Sequence, residues 1–404
     1  MSVLRIPPHW IALAIICGAF ALLCRFLPLA TPPALQVPSL VERAAIPFEN
    51  ISIGSVAFTP DGSKLVVAGI TQIPKDRTRP ILLVRSIDKD DVVPLQREGE
   101  TGYFHVLSIS PDGRFAAVGG ALDVVEERYI GNVCVWDLLT LKLHWFAAPK
   151  YRVSCLAWSP DGSRLAAGNA SDGTVTVWNV DGTNERIAWQ PQRLGEGGSV
   201  VALAWSNDGK RMLISSSSVA QLWDVETGRE VSVVTSHPYF FKDGLEAGRN
   251  VCLSRPSNDN FTAFAFTPDS GTVYVAGRII GNRSEDDTAG DVWVWDLATN
   301  RDVRSVAVQP KRVWGLHLRN RGRSLVTTSY EHSESEGHVL TAQEWDLRSG
   351  RNLWRVAQPT ERISIGLTWS SVSSDGSRLA LVSQTIRPGG NRHVVHVYDL
   401  PKSD

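Results

Sequence analysis

Ser154-Cys-Leu-Ala-Trp-Ser159, Pro160-Asp161-Gly162, Arg164-Leu-Ala-Ala-Gly168 and Thr174-Val-Thr-Val-Trp178-Asn179 follow one another along a single stretch of the chain. The first segment alternates small or polar residues with large apolar ones, as a strand buried between two sheets should. Pro fixes φ, Asp bonds back to its own chain and Gly tolerates positive φ, so Pro160-Asp-Gly162 is turn chemistry. Arg164 to Gly168 reads as a second strand, with small residues where neighbouring sheets crowd. Asp172-Gly173 makes a hairpin into a third strand, Thr174 to Trp178, and Asp181-Gly182 turns into a fourth. The stretch is one four-stranded antiparallel meander.

The same grammar recurs outward in both directions. Ala202-Leu-Ala-Trp-Ser206, Asn207-Asp-Gly209 and Gln221-Leu-Trp-Asp-Val225 repeat it, with Glu226-Thr-Gly228 turning into Arg229-Glu-Val-Ser-Val-Val234. Turns of this kind end at Gly62, Gly113, Gly162, Gly209, Gly271, Gly322 and Gly376, spaced by 51, 49, 47, 62, 51 and 54 residues. Aromatic-polar pairs follow at Trp136-Asp137, Trp178-Asn179, Trp223-Asp224, Trp295-Asp296, Trp345-Asp346 and Tyr398-Asp399, while the first unit has Arg85-Ser86. A period near 50 marks stacked units that cannot bury their faces alone. Seven units predict one closed ring.

These residues resemble the WD-repeat β-propeller family, through SPDG-type turns and WD pairs in register over roughly residues 40–400. The resemblance implies an all-β, seven-bladed β-propeller of four-stranded antiparallel blades, and a scaffolding role. The first unit departs most from the pattern, and the family's Gly-His pair is missing from the blade entries, so packing is expected to carry more of the stability.

The last unit ends at Asp399-Leu400, leaving too few residues for an outer strand. Its missing strand is found at the other terminus. Arg43-Ala-Ala-Ile-Pro-Phe-Glu-Asn-Ile-Ser-Ile-Gly54 matches Arg355-Val-Ala-Gln-Pro-Thr-Glu-Arg-Ile-Ser-Ile-Gly366 at eight of twelve positions. The second stretch leads from unit six into unit seven. By position, the first is the outer strand of unit seven leading into unit one, and the ring closes by pairing of an N-terminal strand with the C-terminal blade.

Ahead of the ring, Trp10 to Leu29 spans 20 residues interrupted by Arg25, long enough as one hydrophobic helix to cross a bilayer if that arginine snorkels. We therefore expect residues 1–30 to be an N-terminal membrane anchor or uncleaved signal and 31–39 (Thr31-Pro-Pro to Ser39) a Pro-rich tether. Residues 40–404 form the propeller. This places the chain in a membrane with a single-pass anchor and the propeller on the non-cytoplasmic side.

Composition narrows the rest. A net charge of −1 gives no basic field to attract nucleic acid. Fourteen Trp against two Met point to rigid aromatic packing. Cys134, Cys155 and Cys252 sit in strand-like surroundings and read as buried small hydrophobes.

The turns joining first to second and third to fourth strands are short. The insertions fall on the opposite face: Thr71–Pro80, Leu122–Gly131, Gly281–Gly290, Tyr330–His338 and Ile386–Arg392, with the long connection Ser236–Asn260. Loops longer than a fold needs are usually functional or disordered. Their charges differ by blade: Lys75, Arg77, Arg79 and Arg387 are basic, Glu285, Asp286, Asp287, Glu331, Glu334 and Glu336 acidic. Such sectors would orient a protein or peptide partner. A purely solubilising rim is the plainer reading.

No nucleophile elbow, phosphate loop, GxGxxG or HExxH occurs, and His332 with His338 lacks a second cluster to complete a metal site. No cofactor and no catalytic residue is expected. The reading is a non-enzymatic, membrane-tethered interaction scaffold; the alternative is a ligand-binding or hydrolytic propeller with a site at the channel mouth.

Overall fold

The computed structural model describes residues 38–402 apart from 74–76, 90, 98, 123–129, 184–185, 190–198, 217–218, 236–249, 253–259, 279–289, 300, 309–312, 334–336, 362–369 and 388–389. The chain divides into Met1–Pro38 and Ser39–Asp404. The second unit is a ring of seven sheets, built on a four-stranded meander; one sheet takes its outer strand from the N-terminal end and another carries an added fifth strand. Blade three shows the rule: Val153–Trp158, Arg164–Asn169, Val175–Asn179 and Arg186–Trp189 pair in sequence, antiparallel throughout.

The seam is closed as the matched termini required. Glu42–Glu49 pairs antiparallel with Gly390–Asp399, from Glu42 opposite Tyr398 to Glu49 opposite Arg392. Arg43 adds ion pairs to Asp399 (2.8 Å) and to Asp88 on blade one. Across the same sheet, the Ser383 hydroxyl lies 2.7 Å from His396 Nε2, and His396 Nδ1 lies 3.2 Å from Glu42. Ser–His–Glu has the composition of a hydrolase relay. Here the serine is buried and the three residues sit on adjacent strands of one blade; the chain of contacts fastens the closing strand.

Because every blade is covered on both faces, its strands alternate between two neighbours. Leu65 and Val67 join the cluster against blade seven, Val66 and Ala68 the cluster against blade two. Among the described residues there are seven such clusters, one per junction. Cys134 is buried in one of them, and burial pushes the Cys155 thiol up to about 12, so neither is a reactive thiol.

The aromatic-acidic pairs work as the sequence suggests. Trp178 and Trp295 are buried, and Asp137, also buried, accepts the N–H groups of Leu139 and Thr140, both at 2.9 Å. One end of the pair fills the junction, and the other caps the next turn. Arg85-Ser86 of blade one occupies the same register, opposite Leu65 and Lys64.

Two expectations need correction. The 236–260 connection is not only a loop: Asn250–Cys252 adds a fifth, parallel strand outside Arg229–Thr235 of blade four. The hydrophobic helix expected at residues 10–29 falls outside the described residues. Among the described residues no helix is long and apolar enough to cross a membrane. That finding overturns the expected single-pass membrane localisation, and with it the side of the membrane assigned to the body.

Candidate functional site: a raised hairpin face and a cavity on the turn side

The second and third strands of blades one, six and seven are longer than those of the other blades. Blade one pairs continuously from Lys64–Ser86 to Ile73–Arg77, blade six from Ser324–Asp346 to Ser333–Gly337, and blade seven from Arg378–Asp399 to Arg387–Gly390. Each strand has ten residues, against six and five in blade three. Four extra residues at about 3.3 Å each extend these hairpins by roughly 13 Å. The expected insertions of blades one, six and seven are therefore largely ladder, not loop.

Since six, seven and one are consecutive around the ring, the three hairpins stand side by side. Hydrogen bonds tie these hairpins to first or outer strands of the adjoining blades. Thr78 donates to the Gly102 carbonyl of blade two at 2.9 Å, and His393 Nδ1 donates to the Ile51 carbonyl of blade one at 3.0 Å. Between blades six and seven, Thr360 Oγ1 accepts from the Gln384 N–H at 3.0 Å, and Glu361 N–H donates to the Gln384 carbonyl at 2.9 Å. The result is a braced crest.

Of the residues expected at the partner-binding rim, Arg79 is exposed and pairs across the ladder with Thr71. Arg77, Glu331 and Arg387 take strand positions near the three hairpin tips, opposite Ile73, Val339 and Gly390, with side chains outside the described residues. Topology thus brings these four to one face. Lys75, Glu285, Asp286, Asp287, Glu334 and Glu336 lie outside the described residues. His332 stands directly opposite His338, and among the described residues no group of three metal-ligating side chains occurs.

On the opposite side lies a feature that sequence reasoning passed over. The turns between first and second strands follow one design in six blades. In blade three, Ser159 donates to Asp161 and accepts the Arg164 N–H at 2.9 Å, while Asp161 accepts the Ser163 N–H at 3.0 Å. The hydroxyl–aspartate pair recurs at Thr59/Asp61, Ser110/Asp112, Ser206/Asp208, Thr267/Asp269 and Ser373/Asp375. Bonding to the partner hydroxyl holds the carboxyls of Asp61, Asp161 and Asp269 below the usual range. Adjacent turns also touch: a Cβ on Gly113 would meet Pro60 Cδ at 2.9 Å, and one on Gly322 would meet Pro268 Cδ at the same distance.

Blade six breaks the design with Arg319-Asn-Arg-Gly322. Arg319 replaces the hydroxyl and Arg321 replaces the aspartate. Arg319 turns inward to an ion pair with Glu344, both side chains nearly fully buried. Beside this turn is a cavity of about 820 Å³, walled by turns and inner-strand ends of blades four to seven, among them Asn207, Pro268, His317, Arg319, Arg321 and Asp375. Burial lowers His317 to about 4, so its imidazole is neutral at pH 7. The signal was present in the sequence as two arginines where six turns have a hydroxyl and an acid.

The fold is a seven-bladed β-propeller. Comparison with known proteins agrees: residues 138–179 match the family described as WD domain, G-beta repeat. A 121-residue stretch is 29% identical to the small ribosomal subunit protein RACK1 of Caenorhabditis elegans, covering 28% of this chain and 34% of that protein. Another of 132 residues is 28% identical to a guanine nucleotide-binding protein subunit beta of Schizosaccharomyces pombe, covering 32% of this chain and 39% of that one. The chain thus spans about a third of the length of these curated relatives. A chain from a crystal structure of the mitotic checkpoint complex superimposes with a TM-score of 0.61 over 92% of this chain and 96% of its own, at 20% identity. That likeness is one of fold.

Proposed function

We propose that this protein is a non-enzymatic protein-interaction scaffold that docks a partner on the crest formed by the hairpins of blades six, seven and one. WD-repeat propellers generally serve as interaction scaffolds, which supports the class. The observation that carries the choice of face is the bracing of three consecutive ten-residue hairpins. A pre-ordered surface loses little conformational entropy on binding, so more of its contact energy appears as affinity. Basic positions Lys75, Arg77, Arg79 and Arg387 and acidic positions Glu285, Asp286, Asp287, Glu331, Glu334 and Glu336 would fix a partner's orientation. Fold alone does not assign a function, so the face has to be tested.

The test is affinity capture with the full chain and with variants whose hairpins are cut back to about the length of those in blade two, Phe115–Leu122 and Gly131–Asp137. Residues 72–78, 331–338 and 386–391 would each be replaced by Asn-Gly. Trimming is expected to remove specific partners, Arg79→Glu to weaken the same ones, and thermal stability to stay unchanged. Retention of the full partner set by a folded triple-trimmed chain would overturn the assignment.

A further inference from the structure

The connection from blade seven to blade one is unlike the others in the ring. The closing strand Glu42–Glu49 and the inner strand of blade one, Ile51–Phe58, are separated by one residue, Asn50. The other six connections from an outer strand to the next inner strand take at least four residues, the shortest being 309–312. Asn50 is exposed and turns the chain in the left-handed region at φ 60°. A residue with a Cβ is disfavoured there, and an extended backbone would relieve it. Short hinges under strain invite exchange of a terminal element between copies, because the hinge straightens only when the element leaves its own body.

The strand beyond this elbow is separable. It is outermost in its sheet and pairs with Gly390–Asp399 alone, so its departure leaves the other three strands of blade seven paired. Its anchors belong to blades seven and one. Ile46 and Phe48 share a buried cluster with Val395 and Val397 of the former and Phe58 and Leu65 of the latter. Arg43 pairs with Asp399 and Asp88, and Glu42 with His396. Upstream, Ser39 makes one isolated bridge to Arg355, and Leu40 packs at the six–seven junction. The same slot in a second copy returns each of these contacts.

We propose that two copies of this chain exchange closing strands, Glu42–Glu49 of each completing blade seven of the other. The ladder from Glu42 opposite Tyr398 to Glu49 opposite Arg392 then forms in trans with its register unchanged. Relief of two left-handed elbows is set against the entropy of association, so the dimer grows with concentration. The His393 Nδ1 bond to the Ile51 carbonyl spans the elbow and favours the closed single chain. Glu49 and Ile51 pair near the tops of the blade seven and blade one hairpins, opposite Arg392 and Thr71. Both elbows therefore lie on the crest side, and the two rings meet crest to crest. The exchange does not depend on the docking role of that face.

The test uses two full-length chains, Pro47→Cys and Val394→Cys, whose thiols occupy directly opposed positions of the seam ladder, within disulfide reach for an antiparallel pair. They are unfolded together, refolded and oxidised, with a wild-type mixture as the blank for the native cysteines. A disulfide between residues 47 and 394 is expected, because exchange brings the two thiols together from different molecules; peptide mapping reads it. Separately, light scattering across a concentration series compares Asn50→Val with Asn50→Gly. Valine tolerates positive φ poorly and glycine tolerates it freely, so the valine dimer should dissociate at a concentration about tenfold or more lower. The Asn50 pair needs no added cysteine, and the cysteine pair leaves Asn50 intact, so either arm stands if variants of the other fail to fold. Absence of the 47–394 link, whether the chain stays monomeric or associates through another face, would overturn the proposal. Equal dissociation constants for the two Asn50 variants would do the same.

Discussion

Glu344 is held by four donors inside the blade six–seven junction, and its charge is tolerable only because Arg319 lies against it. Breaking a buried pair from one side leaves an uncompensated charge, which typically costs about 3–5 kcal/mol. Glu344→Ala is expected to lower unfolding free energy by that amount in denaturant titration, with the slope unchanged. His105 and His317 give a second expectation. Burial lowers both to about 4, with Arg152 adding to the effect at His105. The unfolded chain protonates them near 6.5, whereas the folded chain resists until about 4. Stability is therefore whole above pH 6.5 and falls through the interval down to 4, by up to about 1.4 kcal/mol per pH unit for each histidine. Thermal melts at successive pH values should show this fall, and the double change of His105 and His317 to Gln should flatten it. The sequence displayed Arg319 and Arg321 as a break in a repeated turn. Glu344 was not legible as their counterpart, because one strand position among many becomes meaningful only when the second and third strands are paired.

At the level of elements, the closing strand combines two kinds of contact. Ile46 and Phe48 are buried in the cluster between blades seven and one, whereas Arg43 reaches exposed carboxylates of Asp88 and Asp399. Burial should dominate. Phe48→Ala is expected to cost about 3–5 kcal/mol and Arg43→Ala under about 1 kcal/mol, read as shifts in the denaturant midpoint. Equal effects would mean that the ion pairs hold the seam. The strand itself was legible because eight of the twelve residues at 43–54 duplicate those at 355–366, which enter unit seven. The small residue Gly168 was legible too: a Cβ there would lie 2.6 Å from both Cys155 Sγ and Val200 Cγ1. The long hairpins were not. Thr71–Pro80 is polar and holds two prolines, which is loop composition. Such a stretch carries no apolar alternation from which a strand could be read.

The molecule as a whole has no single core. Its apolar residues form seven clusters, one at each junction, so stability is distributed between neighbours in the manner of a repeat array. That plan was readable from a period near 50, whereas which of the two faces carries function depends on strand lengths and turn contacts that only coordinates reveal. The cost of the closed ring falls on biosynthesis. Arg43 and Asp399 are bonded across 356 residues of chain. At about 5–20 residues per second, the first strand leaves the ribosome roughly 20–70 s before its partner exists. Throughout that interval Ile46 and Phe48 are exposed on an unpaired segment, an open invitation to chaperones, and to the same strand of a neighbouring nascent chain on a crowded polysome.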